Sequence, residues 1–141
     1  MREQHPEKGV FGGFAPPALA RVARWGTGYI CPAPPGYAGA LFELVRRQWK
    51  DAGRQGEPLL VGQINVAPGP ESTVAEARAS LLRYYAFAPE LAAQSMEAMA
   101  TTATQIRETV AAYRDVGAHE VMLSCWSDDI EQIDRLADLL A

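Results

Sequence analysis

Four short apolar runs, each followed by a stretch whose apolar residues recur at helical spacing, constrain this chain more than any other feature. The runs are Lys8 to Phe14, Gly28 to Cys31, Leu59 to Ala67 and Glu120 to Cys125. Within them, Leu59-Leu60-Val61 and Val121-Met122-Leu123 are apolar without alternation. Unbroken apolar runs of this length belong to strands covered on both faces, the situation of a parallel sheet. Parallel neighbours cannot be joined by a tight turn; they need a crossover, usually a helix, which returns right-handed. The expected class is therefore α/β, a succession of parallel βα units.

The intervening segments supply the helices. Pro16-Pro17 introduces Ala18, Leu19, Val22, Ala23 and Trp25, proline being at home in a first helical turn. After Pro32-Ala33-Pro34-Pro35-Gly36, one face carries Leu41, Leu44, Val45, Gln48 and Trp49 until Gly53 stops it. Thr73-x-x-Glu76 reads as a capping box opening a helix with Ala77, Leu81, Leu82 and Tyr85, and Pro89 interrupts it before an alanine- and methionine-rich stretch to Ala100. Thr102-x-x-Gln105 is a second capping box, ahead of Ile106, Val110 and Tyr113, with Gly117 as the stop. Ser127-Asp128-Asp129 is expected to cap the last helix, in which Ile130, Ile133, Ala137 and Leu140 share a face.

A chain of 141 residues suits a single domain, 1–141, burying about 68–70% of its unfolded surface without help from a disulfide or structural metal. Cys31 and Cys125 lie far apart with no partner at metal-ligand spacing, so no zinc site is expected. Seventeen acids against 13 bases, with arginines scattered singly, give no basic stripe for nucleic acid. The longest uncharged stretch, Gly26 to Phe42, holds three prolines and four glycines and cannot form the ~20-residue apolar helix that spans a bilayer. Early basic residues and Ala18-Leu19-Ala20 look a little like a secretion signal, but Gly12-Gly13 and Pro16-Pro17 break any apolar helix there, and the chain reads as mature cytoplasmic sequence. His119 falls in the loop entering the last strand, a structural position.

Val10-Phe11-Gly12-Gly13, the proline-led helix with Ala18-Leu19-x-Arg21-x-Ala23, and Gly26-Thr27-Gly28-Tyr29-Ile30 together resemble the luciferase-like flavin-dependent monooxygenases. Thr101-Thr102, the segment Asp115 to Leu123 and the closing Gln132-Ile133-Asp134-Arg135-Leu136-Ala137 resemble that family's last helix, strand and helix. The resemblance runs from Gly9 to Ala141. It implies that the four units are similar to the last four strands of a (β/α)8 TIM barrel, a half-barrel, since a whole barrel takes ~250 residues.

What the resemblance implies for chemistry follows. The cofactor would be FMN or a deazaflavin, bound near Gly12, Gly13, Cys31 and Ala33, with Trp126 and Ser127 at the substrate rim; Ser127 also suits a helix cap. No catalytic acid-base pair stands out, which fits a family whose cofactor performs the chemistry. The sequence departs from the family where Pro16, Pro17, Pro32, Pro34 and Pro35 remove N–H donors, Phe14 and Ala15 lack hydroxyls, and Thr27 replaces the usual Asp. Gly12-Gly13 therefore has two readings, a ligand-facing turn or a plain tight turn. Functionally the chain reads as a flavin- or deazaflavin-dependent oxidoreductase, shortened or completed by a partner, or as a non-catalytic relative serving in assembly or regulation. An open half-barrel is expected to form a homodimer or to bind a partner that supplies the other half.

Overall fold

The computed structural model describes residues 9–141. Its elements are β1 (Val10–Phe11), α1 (Pro16–Trp25), β2 (Gly28–Cys31), α2 (Pro35–Asp51), β3 (Leu59–Val66), α3 (Glu71–Tyr84), α4 (Pro89–Ala98), α5 (Ala103–Asp115), β4 (Glu120–Cys125) and α6 (Glu131–Leu140). The four strands form one sheet in the order β1-β2-β3-β4. β1 with β2 and β2 with β3 pair in parallel, Val10 opposite Gly28, Gly28 opposite Leu59 and Cys31 opposite Gly62. The α/β class and its parallel units are as the apolar runs require. The first run is shorter than expected, two residues, and its first residue, Lys8, lies outside the described part.

The chain divides into two compact units. One is drawn from the described residues of Met1–Gln63 with Ala112–Met122, the other from Ile64–Ala111 and Leu123–Ala141.

In the first unit, Tyr29 and Cys31 point to the face of β2 that the helices cover, Tyr29 meeting Phe42 of α2 edge-on at 6.1 Å. The buried stripe of α2 is Ala38, Phe42, Val45 and Trp49, with Leu41, Leu44 and Gln48 as its half-buried flank. The stripe is thus rotated from the expected face, because helix and β2 meet through Phe42. Arg54 closes α1: its Nη1 donates to the carbonyls of Val22, Ala23 and Gly26, and its guanidinium lies 3.6 Å from the centre of the Trp49 ring. A cation placed on the last carbonyls also opposes the negative end of the helix dipole. On β3, Gly62 faces the Tyr113 ring, and a Cβ at 62 would stand 2.5 Å from it.

The second unit contains three corrections. Thr102 and Gln105 form the reciprocal capping box, Gln105 N–H donating to Thr102 Oγ1 and Thr102 N–H to Gln105 Oε1. Thr73 and Glu76 do not. α3 already starts at Glu71, so Thr73 sits inside it and donates to Asp129 Oδ2 at 2.8 Å, while Glu76 accepts the Asp128 N–H at 2.9 Å. Of Ser127 and Asp129, only Asp129 meets the start of α6: its Oδ1 accepts the N–H of Glu131, the first residue of the helix, while Ser127 Oγ accepts the Asp129 N–H one step earlier and does not cap the helix. Finally, α6 buries Gln132, Leu136 and Leu139 and turns the expected stripe outward, with Ile130 82% and Ile133 69% exposed. Both stripes fit a 3.6-residue period, so periodicity cannot choose between them.

Gly62→Ala is expected to lower stability by about 1–3 kcal/mol through overpacking against Tyr113. Gly36→Ala, where nothing lies within 4 Å of the added carbon, is expected to raise it by up to ~1 kcal/mol through a less flexible unfolded chain. Urea midpoints for the two variants should move in opposite directions.

Candidate functional site

Parallel sheets keep their chemistry at the carboxyl ends of the strands, where the βα turns leave backbone groups exposed. In the first unit that end carries Gly12 and Gly13 after β1, and Cys31 and Ala33 at and after β2. The two glycines differ in kind. Gly13 has φ +120°, and a Cβ there would lie 2.7 Å from the Ala18 Cβ. Its carbonyl also accepts the Tyr29 hydroxyl at 2.8 Å, so Gly13 is needed by the turn itself. Gly12 is exposed, its φ is unremarkable, and a Cβ there would touch only Ile30 at ordinary distance, 3.5 Å to Cγ2 and 3.6 Å to the carbonyl oxygen. The fold does not require glycine at 12, which leaves a strip of open backbone beside Ile30.

Cys31 is wholly buried, and two buried phenols flank it. Burial, reinforced by the Cys31 thiol, raises Tyr29 well above the usual tyrosine range and pushes Tyr113 up to about 12. Both stay protonated and act as donors, Tyr29 to Gly13 and Tyr113 to the carbonyls of Ala33 and Gln63. Ala33 is thus held through its oxygen. The start of α2 offers few donors, because Pro34 and Pro35 have none and the Tyr37 and Ala38 amides already bond to the Pro34 carbonyl.

In the second unit, Trp126 and Ser127 follow β4. The Trp126 indole N–H donates to Asn65 Oδ1 at 2.9 Å, while Trp126 packs against the core of Ala67, Ala77, Leu81 and Met99. Asn65 was missed by the sequence reading. Its signal was the polar pair Gln63 and Asn65 at alternate positions near the carboxyl end of an otherwise apolar strand. Met99 is core and Met96 packs on it, as methionines at that spacing usually do. Ser127 Oγ is engaged by Asp129 N–H, and Asp129 in turn accepts Arg135 Nη1 at 2.7 Å and the Thr73 hydroxyl. Those two hydrogen bonds hold the Asp129 carboxyl below its usual range.

His119 and Arg54 lie away from this end, whereas Cys125 is the last residue of β4. His119 Nδ1 accepts the Leu60 N–H at 3.0 Å at the amino end of β4, a structural role. Cys125 is exposed, yet partial burial of its sulfur raises the thiol, the reverse of nucleophile activation. An open cleft of about 520 Å³ lined by residues of α1 and α2 holds Arg54, already committed to the α1 carbonyls. Among the described residues no three His, Cys, Asp or Glu side chains gather to hold a metal.

No protein-family model and no curated protein matches the chain. Solved structures do. An F420-dependent secondary alcohol dehydrogenase, in complex with an F420-acetone adduct, matches 96% of the chain and 48% of its own length, with TM-score 0.72 and 14% identity. The chain shares the luciferase-like fold. A coenzyme F420-dependent tetrahydromethanopterin reductase from Methanopyrus kandleri covers 91% of it (48% of that chain, TM-score 0.59, 14% identity), and an EDTA monooxygenase from Chelativorans sp. BNC1 covers 92% (44% of that chain, TM-score 0.63, 10% identity). The chain therefore spans about half the length of these luciferase-like TIM-barrel structures, and its four parallel strands correspond to part of such a barrel.

Gly13→Ala is expected to cost about 1–3 kcal/mol, from the positive φ and the clash with Ala18, whereas Gly12→Ala should stay within roughly 0.5 kcal/mol of wild type in urea unfolding. The lowered Asp129 gives a second expectation. Its stabilisation is present above the unfolded carboxylate value of about 3.9 and is lost as pH falls through its lower folded value. Between about pH 4 and 2, wild type should lose stability more steeply than Asp129→Asn.

Proposed function

We propose that the chain is a flavin- or deazaflavin-dependent oxidoreductase of the luciferase-like monooxygenase type. The observation that carries this reading is the open backbone at Gly12, a glycine the fold itself does not need, at the strand end where such a ring would rest. The open backbone fits on that side: Gly12 and Gly13 would lie beside FMN or a deazaflavin, with the Cys31–Ala33 turn near its phosphate. That turn would contribute backbone rather than the Cys31 thiol, which has no exposure. The bound ring would supply the hydride or oxygen chemistry. The chain's own residues would bind and orient, Gly12 by admitting the ring, Trp126 and Ser127 by meeting the substrate.

The reading also supposes a complementing half, given by a second copy of the chain or by a partner. It is supported by the half-length match to the solved structures and by the outward apolar stripe of α6. Free cysteines suit a reducing, cytoplasmic setting, and no helix among the described residues is long and apolar enough to cross a membrane. A second reading, a non-catalytic relative serving in assembly or regulation, is favoured by one observation, the proline-depleted donors at the starts of α1 and α2.

Fluorescence titration of FMN and of a deazaflavin into wild type and Gly12→Val separates them. Binding to wild type, weakened at least about ten-fold by Gly12→Val, a loss of roughly 1.4 kcal/mol, is the expected result. No binding by wild type, alone or with its complementing half, would favour the non-catalytic relative; equal binding by both would show the ring lies elsewhere.

A further inference from the structure

The Tyr29 hydroxyl fixes more than the Gly13 carbonyl. Every described peptide bond is trans, and in a planar trans peptide the N–H points opposite to the C=O of the same unit. The Gly13 carbonyl turns toward a wholly buried residue, accepting the Tyr29 hydroxyl at 2.8 Å. The N–H on the other side of that peptide belongs to Phe14, which is 55% exposed, so it points away from the Tyr29 hydroxyl and out of the core. Phe14 has little competition as a donor. Pro16 and Pro17 have no N–H, and those of Ala18 and Leu19 bond to the Ala15 carbonyl. From Phe14 to Leu19, only Phe14 and Ala15 keep an N–H without a partner among the described residues. Of these two, Phe14 is the one aimed by its own peptide's carbonyl, and the phenol that holds this carbonyl is itself held: Tyr29 meets Phe42 edge-on, and burial keeps its hydroxyl protonated.

We propose that Tyr29 is a positioning residue that aims the Phe14 N–H at the flavin or deazaflavin ring, so that the ring's pyrimidinedione edge faces the Gly12–Phe14 turn. The inference rests on the oxidoreductase reading above and names what orients its cofactor. That edge carries the ring's carbonyl acceptors in both kinds of cofactor, whereas the far edge of FMN carries only methyl groups. One preset N–H therefore tells the two ends of the ring apart, which the open backbone at Gly12 cannot do, since it admits either end equally. A donor already turned outward before the ring arrives also spares the binding energy that ordering it would cost.

The test uses the full chain with FMN and with riboflavin, which has the same ring and no phosphate. Wild type is expected to bind both, with FMN moving the Phe14 amide proton resonance downfield. Tyr29→Phe keeps the ring against Phe42 and removes the hydroxyl. It should weaken both flavins by about three- to ten-fold, the net worth of one hydrogen bond, and abolish the downfield shift. Thr27→Val is the comparison: it removes a hydroxyl that donates to the Gly9 carbonyl at 3.0 Å, at the amino end of β2, and should leave flavin binding unchanged. Equal weakening by the two variants would reduce Tyr29 to a general tie between β1 and β2 and overturn the proposal. So would unchanged flavin binding in Tyr29→Phe, or a Phe14 amide that FMN does not move; either would leave the cofactor reading standing. Loss of FMN affinity alone in Tyr29→Phe, with riboflavin unaffected, would put the donor on the phosphate and overturn it as well. No binding of either flavin by wild type would remove the cofactor reading itself, and this inference with it.

Discussion

The first unit is organised around a ring lying where a side chain is absent. Gly62 in β3 lets Tyr113 approach the strand, and the Tyr113 hydroxyl then reaches two carbonyls, Gln63 in β3 and Ala33 in the turn after β2. One phenol thus ties a helix to a strand and to a neighbouring βα turn. Any side chain at 62 would lift the ring and break both bonds. The turn holding Ala33 owes its place to this contact, since its own prolines leave it few hydrogen bonds to make.

Beside it, Tyr29 does for Gly13 what Tyr113 does for Ala33. Two buried phenols, kept protonated by their surroundings, therefore hold the backbone at the carboxyl ends of β1 and β2. A site held in this way is rigid without a helix cap, and α1 and α2 have no side-chain cap hydrogen bonds at their starts.

Much of this was legible in the sequence, and the exceptions have physical reasons. β3 declares itself by an unbroken apolar run and is buried along most of its length, whereas β4, whose run is as apolar, has no buried residue; Thr102 and Gln105 declare themselves by a pairing three residues long. Thr73 and Glu76 carry the same local pattern, but their partners, Asp129 and Asp128, lie more than fifty residues away, where no local rule reaches. α6 has two apolar stripes of equal period, and only packing decides which turns inward. Gly12 and Gly13 look alike in sequence; the position of Ala18 separates them. Asn65 was hidden inside an apolar run that otherwise reads as core.

His119 shows how β4 finds its alignment. Its backbone N–H donates to the Leu60 carbonyl at 2.8 Å, and its Nδ1 accepts the Leu60 N–H, so a single residue of β4 satisfies both polar groups of a single residue of β3. β4 is covered unevenly, with Met122 and Cys125 exposed, and a strand with so weak an inside and outside is prone to slip by one place. The imidazole removes that ambiguity by acting as a key fitted to one notch: a shifted β4 would forfeit both hydrogen bonds at once. Alignment at this edge is therefore written in a polar pair at the strand's entrance rather than in the burial of its side chains.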